Sequence, residues 1–486
     1  MAAALHMPRG IEIRLDGQAL PERALGSVVA VLVQQHLSQP SACELSLVGP
    51  DAAALAPRLA PGQSLRLSQT GATAAWFEGQ VTALEHVHAA DGRYTLVVRA
   101  YDALCVLRQR HRARVHVDIT LPELARELVA DLGLSVQAEV PGPVWPRVVQ
   151  TGSDFDLLAD LARRCGLHLH VQAGVLQLLP AQGGGDTVEL GLHDHLLDAA
   201  IEHNDHGTCA RVQAHGWNPW RGAAWQAQAG GTGTGAVPGD AVRLLLGLAA
   251  QDMAGGEAAA QAELDARQGV ARVLRATARG DVRLRPGVPV RVTGLLPGVE
   301  TAFVLASVRH TLDAQRGFLS ELSSERPAPQ ARTPSLAMTP GRVTQVDDPE
   351  RLGRIKVALP AYAELESDWL QWMAPGAGRA KGLVAPPDIG DLVVVLLDPS
   401  DPAQAVVIGS LWGESGLPAG FSFLSPGGQR IHLDDTAQRL RLESADGSCL
   451  ELAPGRTLLQ SSGPMTLEAP GQRLTLRAQF IDFERT

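Results

Sequence analysis

The 486 residues of the chain carry a formal net charge of −10 at pH 7, and only 4% of them are aromatic. The acidic balance argues against nucleic acid or an anionic membrane as partner, and the scarcity of aromatic rings argues against a stacking platform for single strands. A chain of this length has room for about three domains. Its 50 glycines and 32 prolines favour a protein of strands and turns.

The cysteines and the N-terminus indicate where the chain is made. No Cys-x-x-Cys motif occurs, which suits buried reduced thiols in a cytoplasm better than a disulfide framework. The first ten residues do not have the form of a signal peptide, and no run of 18 apolar residues is present. We therefore expect cytoplasmic synthesis, with any export by a route other than general secretion. The five cysteines are Cys43, Cys105, Cys165, Cys209 and Cys449.

The first hundred residues predict a β-meander or barrel. Residues 11–15 alternate apolar and polar side chains and are followed by an Asp-Gly turn. Similar alternation predicts further strands at 28–37, 43–48, 64–68, 75–88 and 94–100.

Helix signals begin after residue 120. Thr120 is a candidate N-cap for a helix that runs to about Leu132, and Ser153 opens a second helix over 156–165. Gly166 ends the second helix, and residues 167–179 then predict a hairpin.

Loops, a long helix and more strands follow. Residues 183–185 and 228–239 are glycine-rich loops, and 255–278 predicts one long helix rich in Ala, Glu and Arg. Strands are expected at 288–294 and 302–311. Residues 326–340, rich in Pro, Ala, Ser and Thr, predict a linker.

Residues 341–413 predict a small Greek-key barrel of the OB type, because five short strands fit into about seventy residues. The strand candidates are 342–346, 353–359, 369–373, 391–397 and 405–411.

The last sixty or so residues contain seven very short segments, most of the form apolar, polar, apolar. Each segment places two side chains on one face of a strand, and turns such as Pro454-Gly455 separate them. The residues predicted to form one shared apolar core are Ile431, Leu433, Leu440, Leu442, Leu450, Leu452, Met465, Leu467, Leu474, Leu476, Ile481 and Phe483.

A single copy of this tail is not expected to fold alone. Burying about a dozen apolar side chains contributes roughly 1.5–3 kcal/mol each, whereas ordering the backbone costs roughly 1–2 kcal/mol per residue. Winding identical chains around a common axis pairs the open edges and covers the apolar faces. We therefore expect an intertwined homo-oligomeric β-helix or β-prism. Three chains suit a solid shaft, and a monomeric solenoid edge capped by another domain is the alternative.

Several groupings resemble chemical sites without completing one. His86 with His88 and His168 with His170 each place two imidazoles on a strand face, but neither pair has a third ligand nearby, and an exposed strand face explains both. The stretch 203–206 is typical of a turn, and the glycine run 230–235 lacks the ending of a phosphate loop. Asp388 and Asp391 flank a turn rather than forming a catalytic pair, and no nucleophile elbow is present. We expect no catalytic residue, no cofactor and no metal.

Spaced motifs along the chain resemble the VgrG and phage tail-spike family. Upstream, the similarity lies in residues 101–104, 153–159, 284–287 and 308–310, which resemble a baseplate hub. Downstream, motifs similar to the family's OB domain are Gly341-Arg342-Val343, Asp348-Pro349, 352–357, 369–372, 374–378, 387–391 and 406–411.

This resemblance implies a trimeric hub-and-spike of a contractile injection machine. The implied fold is mainly β with some α: a hub of two tube-like β-barrel domains with helices in residues 1–325, a linker at 326–340, an OB collar at 341–413, and a neck with an intertwined trimeric β-helical spike at 414–486. The hub would adapt a hexameric inner tube to a three-fold needle that pierces the target envelope. A phage tail, a type VI secretion apparatus and an extracellular phage-tail-like particle all fit.

The resemblance also implies partners. They are the inner tube protein, baseplate proteins and a PAAR-type tip protein, in a particle assembled in the cytoplasm. We expect neither the lysozyme-like insert after the OB domain nor the C-terminal effector extension that some relatives have. A carbohydrate-active β-helical enzyme is the alternative function, but the short turns leave no room for a cleft. Expected contacts to the tip protein are Phe480, Ile481, Asp482, Phe483, Glu484, Arg485 and Thr486.

Overall fold

Strands predominate throughout the chain, which divides into two units, Met1–Ser410 and Leu411–Thr486. In the part of the chain that the structure covers, no helix is both long enough and apolar enough to span a membrane. The structure is a computed structural model and describes residues 11–70, 75–139, 141–204, 208–218, 223–230, 242–246, 253–296, 299, 302–326, 336–378, 383–398, 401–412 and 421–484.

Residues 11–101 form the first β-domain, and the strands predicted there from alternation are confirmed. Inward-facing residues of these strands, among them Val31, Leu45, Leu67, Leu96 and Val98, build its core. Its elements are β1 (Ile11–Leu15), β2 (Gln18–Ala19), α1 (Glu22–Ser27), β3 (Val28–His36), β4 (Ala42–Val48), α2 (Pro50–Leu55), β5 (Ser64–Gln69), β6 (Ala75–His88) and β7 (Tyr94–Tyr101).

A helical insert with its own core occupies residues 102–187. Both predicted caps are present: the backbone N–H of Thr120 donates to Glu123 Oε2 at 2.9 Å, and Ser153 Oγ accepts from the N–H of Asp156 at 3.1 Å. The elements are α3 (Ala103–Gln109), β8 (Arg114–Thr120), α4 (Leu121–Val129), β9 (Ser135–Ala138), β10 (Val144–Gln150), α5 (Asp154–Arg164), β11 (His168–Gln172) and β12 (Val175–Leu179).

Residues 188–323 form the second β-domain, which corrects two predictions. The helix expected over 255–278 ends at Ala271, because the chain continues as a strand held between two others of a sheet. The strand expected over 302–311 is two strands, separated at residues 305–306. The elements are β13 (Val188–Gly191), β14 (Leu196–His203), β15 (Arg211–Asn218), β16 (Ala223–Gly230), β17 (Val242–Leu245), α6 (Met253–Ala271), β18 (Arg272–Arg279), β19 (Pro289–Thr293), β20 (Ala302–Val304), β21 (Ser307–Asp313) and β22 (Gly317–Ser323).

One eleven-stranded sheet joins the two β-domains. Its strand order is β14-β18-β22-β21-β3-β4-β7-β6-β5-β1-β2. The domains meet where β21 pairs antiparallel with β3, from Ser307 opposite His36 to Asp313 opposite Ala30. The glycine run predicted as a loop at 230–235 lies, apart from Gly230, outside the described residues.

The OB-type barrel is a five-stranded sheet in the order β25-β24-β23-β26-β27. Most of the strand predicted at 369–373 is absent, and this stretch makes only isolated pairings through Leu370 and Trp372. The predicted linker is shorter than expected at its end, because the first barrel strand already starts at Ala337; residues 327–335 lie outside the described part. Arg147 of the insert donates a hydrogen bond to the carbonyl of Glu366 in the barrel. The elements are β23 (Ala337–Gln345), β24 (Lys356–Leu359), β25 (Leu365–Glu366), β26 (Leu392–Asp398) and β27 (Asp401–Leu411).

The C-terminal unit contains a five-stranded antiparallel meander in which consecutive strands are neighbours. Four of the seven predicted tail segments are strands of this meander. The other three, at 465–467, 474–476 and 481–483, form no strand in the single chain, where no strand of the described tail pairs with them. The strands are β28 (Phe421–Leu424), β29 (Arg430–Asp434), β30 (Arg439–Glu443), β31 (Cys449–Ala453) and β32 (Arg456–Gln460).

Candidate functional site

The candidate site is the apolar face of the C-terminal meander. Strand register places Ile431 opposite Leu442 and Leu442 opposite Leu450, while Leu433 lies opposite Leu440. Directly opposed residues of a sheet share a face. The structure therefore brings six of the predicted core residues together on one surface: Ile431, Leu433, Leu440, Leu442, Leu450 and Leu452.

Two aromatic residues extend this face, and the sequence prediction missed both. Phe423 lies opposite Ile431 and Phe421 opposite Leu433, with the two rings edge to face at 5.7 Å. The sequence contains the signal for this strand, because Phe421-Ser422-Phe423 has the same apolar, polar, apolar form as the seven predicted tail segments. The tail face, as we call this surface, comprises Phe421, Phe423, Ile431, Leu433, Leu440, Leu442, Leu450, Leu452 and Leu459.

The tail face is open in the single chain. Leu442 is 38% exposed, and the neighbouring Phe423 and Leu452 are exposed to a similar or greater degree. A contiguous patch of nine apolar side chains on a protein surface marks an interaction site.

The opposite face of the meander is mainly polar, and it carries ion pairs. The Arg441 guanidinium donates to Glu451 at 3.2 Å and to Glu443 at 2.9 Å, and Arg439 lies 3.7 Å from the same Glu451 carboxylate. The hydrogen bond to Glu443 raises the pKa of Arg441. The sheet thus has one face suited to water and one that is not.

The turn between β30 and β31 is hydrogen bonded to the start of the segment that follows the meander. Asp446 accepts hydrogen bonds from the hydroxyls of Ser444 and Ser462, the latter at 2.8 Å, and from the Ser448 backbone at 3.1 Å. These donors hold the pKa of Asp446 well below its usual range. The start of the segment beyond Gln460 is therefore fixed against the sheet.

Beyond β32 the chain presents its remaining predicted core residues to solvent. No strand forms over the described residues 461–484, and Phe480 and Phe483 are 78% and 91% exposed. Arg485 and Thr486, predicted as tip contacts, lie outside the described residues. The single chain does not bring the following residues into a sheet: Met465, Leu467, Leu474, Leu476, Ile481 and Phe483.

The histidine pairs occupy different surroundings. His86 and His88 are exposed as expected, with His86 Nδ1 2.7 Å from the Tyr94 hydroxyl. The exposed face expected for His168 and His170 is wrong: His170 is 1% exposed, because the backbone of its strand is hydrogen bonded to the β3–β4 turn at Ser38. Burial lowers the pKa of His170 and of the half-buried His168 to about 4.

The two other groupings considered in the sequence, Asp388 with Asp391 and the stretch 203–206, lie in or near turns. Asp388 and Asp391 belong to one turn, in which the backbone N–H of Asp388 donates to the Asp391 carboxylate at 2.9 Å. The turn predicted at 203–206 starts at the end of β14, and residues 205 and 206 are outside the described part. Among the described residues, no three His, Cys, Asp or Glu side chains form a group able to hold a metal.

Comparison with known families identifies the larger unit. Residues 34–316, more than half of the chain, match the model of the phage tail baseplate hub (GPD). The chain belongs to this baseplate hub family. Residues 339–412 of this hub protein match the OB domain of type VI secretion system and phage-baseplate injectors, and no curated protein matches it.

Solved structures share the fold of this hub protein. A 43 kDa tail protein of a Shewanella oneidensis prophage has 16% identity over 66% of this chain and 98% of its own, with a TM-score of 0.52. An Escherichia coli component of the type VI secretion system has 14% identity over 79% and 97%, with a TM-score of 0.53. A chain of a Francisella PdpA–VgrG complex has 9% identity over 93% of this chain and 88% of its own, with a TM-score of 0.56. The resemblance to VgrG-type proteins inferred from sequence motifs is confirmed.

Proposed function

We propose that three copies of this baseplate hub protein assemble into the hub and spike of a contractile injection system. The observation that carries the proposal is the open tail face, which is followed by more exposed apolar residues in the same alternating order. The number three comes from the resemblance to the VgrG family. The proposed role is structural rather than catalytic.

The physical reason to expect assembly is that one face of the meander is apolar whereas the other carries ion pairs. Each apolar side chain of the tail face that another copy covers contributes roughly 1.5–3 kcal/mol when it is fully buried. The edge strands β28 and β32 also have backbone groups that only another strand can satisfy in the absence of water. Identical chains wound around an axis meet both needs, and the paired charges of the opposite face then form the outer surface.

The remaining parts of the proposed machine follow from the resemblance. The two β-domains of each chain would present six similar modules in a trimer, which suits contact with a hexameric inner tube. The OB barrels would form the collar, and the tail would form a shaft that pierces the target envelope. Residues 480–486 would contact a PAAR-type tip protein. We propose assembly in the cytoplasm and release with the particle.

A pair of substitutions on one strand tests the role of the tail face. Phe423→Asp places a charge on the tail face, whereas Ser422→Asp places the same charge on the opposite face of the same strand. We expect Phe423→Asp to lower the native mass, measured by size exclusion with light scattering, from three chains to one. Ser422→Asp should keep three. Equal masses for the two variants would contradict the proposal that the tail face drives assembly.

A further inference from the structure

Three histidines are buried among the described residues, and one of them has a ring nitrogen without a partner. His310 hydrogen bonds through both ring nitrogens, and His116 lies 3.3 Å from the Glu127 carboxylate. The Nε2 atom of His170 has no hydrogen bond, although this side chain is only 1% exposed. Such atoms are rare in native proteins, and a bound ion or water is one reason for them.

The positive charge that acts on the His170 ring is that of Arg285. Burial, and after it the charge of Arg285, lowers the pKa of His170 to about 4. The Arg285 guanidinium is half-buried, and within the described residues it has neither a hydrogen bond nor an ion pair. A guanidinium keeps its charge and has five N–H donors. The structure thus places a positive charge beside a buried ring nitrogen without an acidic side chain to offset that charge.

Two more basic side chains continue this arrangement. His168 lies two residues before His170 on β11, and alternate residues of a strand share a face. Burial, and after it the charge of Arg326, lowers the pKa of His168 to about 4. Arg326 donates to the carbonyl of Ala181, and among the described residues Asp265 is the one carboxylate whose charge acts on it. The basic row, as we call this set, consists of Arg285, His170, His168 and Arg326.

The basic row lies where the helical insert meets both β-domains. On the side of the first β-domain, the N–H of Ser38 donates to the carbonyl of Leu169 at 2.8 Å. On the side of the second, the N–H of Gly184 donates to the carbonyl of Gly287 at 2.9 Å. A Cβ on Gly287 would come within 2.3 Å of the Leu179 side chain. Separating the charges of the row would therefore require breaking these contacts.

The unpaired charge at this joint favours an anionic ligand. A half-buried guanidinium without a counter-charge costs free energy in a fold. A water molecule can accept a hydrogen bond from the guanidinium but brings no charge. An oxyanion brings both, because its oxygens accept hydrogen bonds and its charge is negative. Arginine also matches the geometry of such an anion with two parallel N–H donors.

We propose that Arg285 and His170 bind a small oxyanion, of the sulfate or phosphate class, between the helical insert and the second β-domain. Arg285 donates through its guanidinium. His170 donates through Nε2 and is protonated while the anion is bound. Arg326 adds positive potential from the other end of the basic row. The site lies within one chain, so the inference is independent of the proposed trimer.

The exposure of the basic row favours an anion of small size. Arg285, His168 and Arg326 are half-buried, whereas His170 is almost fully buried, so the row is reached from the surface on one side only. A ligand with a large body would have to part the insert from the β-domain. The bound anion would therefore act as a structural ligand that links the two.

Binding should depend on pH through His170. A negative ligand beside the ring favours the charged imidazole, so the bound anion should raise the pKa of His170 from its low value. By linkage, protonation of the ring then raises the affinity for the anion. Sulfate is the probe of choice, because its charge does not change between about pH 7 and pH 5, the range in which histidine titrates.

Equilibrium dialysis of radiolabelled sulfate against the full chain, at constant ionic strength, tests the site. The parent chain should bind one sulfate per chain. Arg285→Gln should bind sulfate roughly tenfold more weakly or worse, since a hydrogen bond to a charged group contributes that much. Arg283→Gln is the matched control, because it removes the same charge two residues away, where the side chain is 68% exposed and lies 2.7 Å from Asp281. The control should bind like the parent.

Thermal unfolding shows whether the variants fold. Without sulfate, the Tm of Arg285→Gln should equal or exceed that of the parent chain, because the substitution removes an unpaired charge. Sulfate should then raise the Tm of the parent and of Arg283→Gln more than that of Arg285→Gln. His170→Gln keeps a hydrogen-bond donor at the ring position and should lose the increase in sulfate affinity at lower pH.

Three results would overturn the inference. Absence of saturable sulfate binding by the parent chain would leave water as the partner of these atoms. Equal affinity of Arg285→Gln and the parent would place the ion elsewhere on the protein. The same pH dependence in His170→Gln as in the parent would remove His170 from the site.

Discussion

The Nε2 atom of His310 lies 3.0 Å from the carbonyl oxygen of Leu284, and its Nδ1 atom lies 2.8 Å from Ser320 Oγ. A carbonyl oxygen only accepts, so Nε2 carries the ring proton and the hydroxyl donates to Nδ1. The ring is neutral and 1% exposed, and burial lowers its pKa to about 4. Protonation would place a charge in the sheet that joins the two β-domains.

Acid should therefore destabilise the hub. Unfolded histidine binds a proton below about pH 6.5, whereas His310 in the fold does so only below about pH 4. The unfolded state takes up more protons between these values, so the free energy of unfolding falls as pH falls through this window. At pH 5 the loss from His310 alone is roughly 2 kcal/mol, and His168 and His170 act in the same direction.

Urea unfolding at pH 7 and pH 5 measures this effect. His310→Gln should reduce the difference in unfolding free energy between the two pH values by roughly 2 kcal/mol. The parent chain, measured in the same way, supplies the reference difference. An unchanged pH difference in His310→Gln would show that this ring does not remain neutral in the fold.

The OB barrel should depend on one buried ion pair. The Asp348 carboxylate accepts from the Arg354 guanidinium at 2.8 and 2.9 Å, and both side chains are at most 3% exposed. These bonds hold the pKa of Asp348 well below its usual range. Asp348→Asn leaves the guanidinium without its counter-charge and should cost about 3–5 kcal/mol in unfolding free energy.

The control for Asp348→Asn is Glu350→Gln. Glu350 lies 3.4 Å from the same guanidinium but is 64% exposed, so its removal should cost less than about 1 kcal/mol. Thermal unfolding of the full chain measures both changes. Similar shifts for the two variants would show that the buried pair has no special role.

Much of the fold can be read from local sequence. Alternation identified the strands of the first β-domain, and hydroxyl residues at Thr120 and Ser153 identified two helix starts. Alternation and helix caps predict the structure correctly where residues close together in the chain determine the backbone conformation.

The sequence predictions failed where contacts between residues far apart in the chain determine the structure. Residues 272–278 have helix-favouring composition, but Leu274 and Ala276 are buried in a sheet between β14 and β22. Burial of His170 depends on packing against another domain. The candidate site was found in outline because its alternation is local. Phe421-Ser422-Phe423 has the same alternation and was overlooked, and strand register shows that both rings belong to the tail face.

The segment beyond the meander offers a sensitive test of assembly. Leu476 is 61% exposed in the single chain, so Leu476→Asp would cost little if that exposure persisted in solution. In the proposed shaft the same change buries a charge and should abolish the trimer. Thr475→Asp, the neighbouring polar position, should be tolerated. A soluble, SDS-resistant trimer of Leu476→Asp would contradict a core that includes this residue.

The end of the chain should carry the tip protein. Deleting residues 480–486 removes the exposed Phe480, Ile481 and Phe483 and should abolish capture of a PAAR-type protein in a pulldown. The truncated chain should keep its trimeric mass, since the tail face is untouched. Retention of the tip protein by the truncated trimer would place its contact elsewhere.

The measurement that tests the account most directly is the native mass of the full chain by light scattering. The open tail face predicts a mass near three times the 51.3 kDa of one chain. A mass of one chain would contradict the account, because the tail face would then remain open to water in solution.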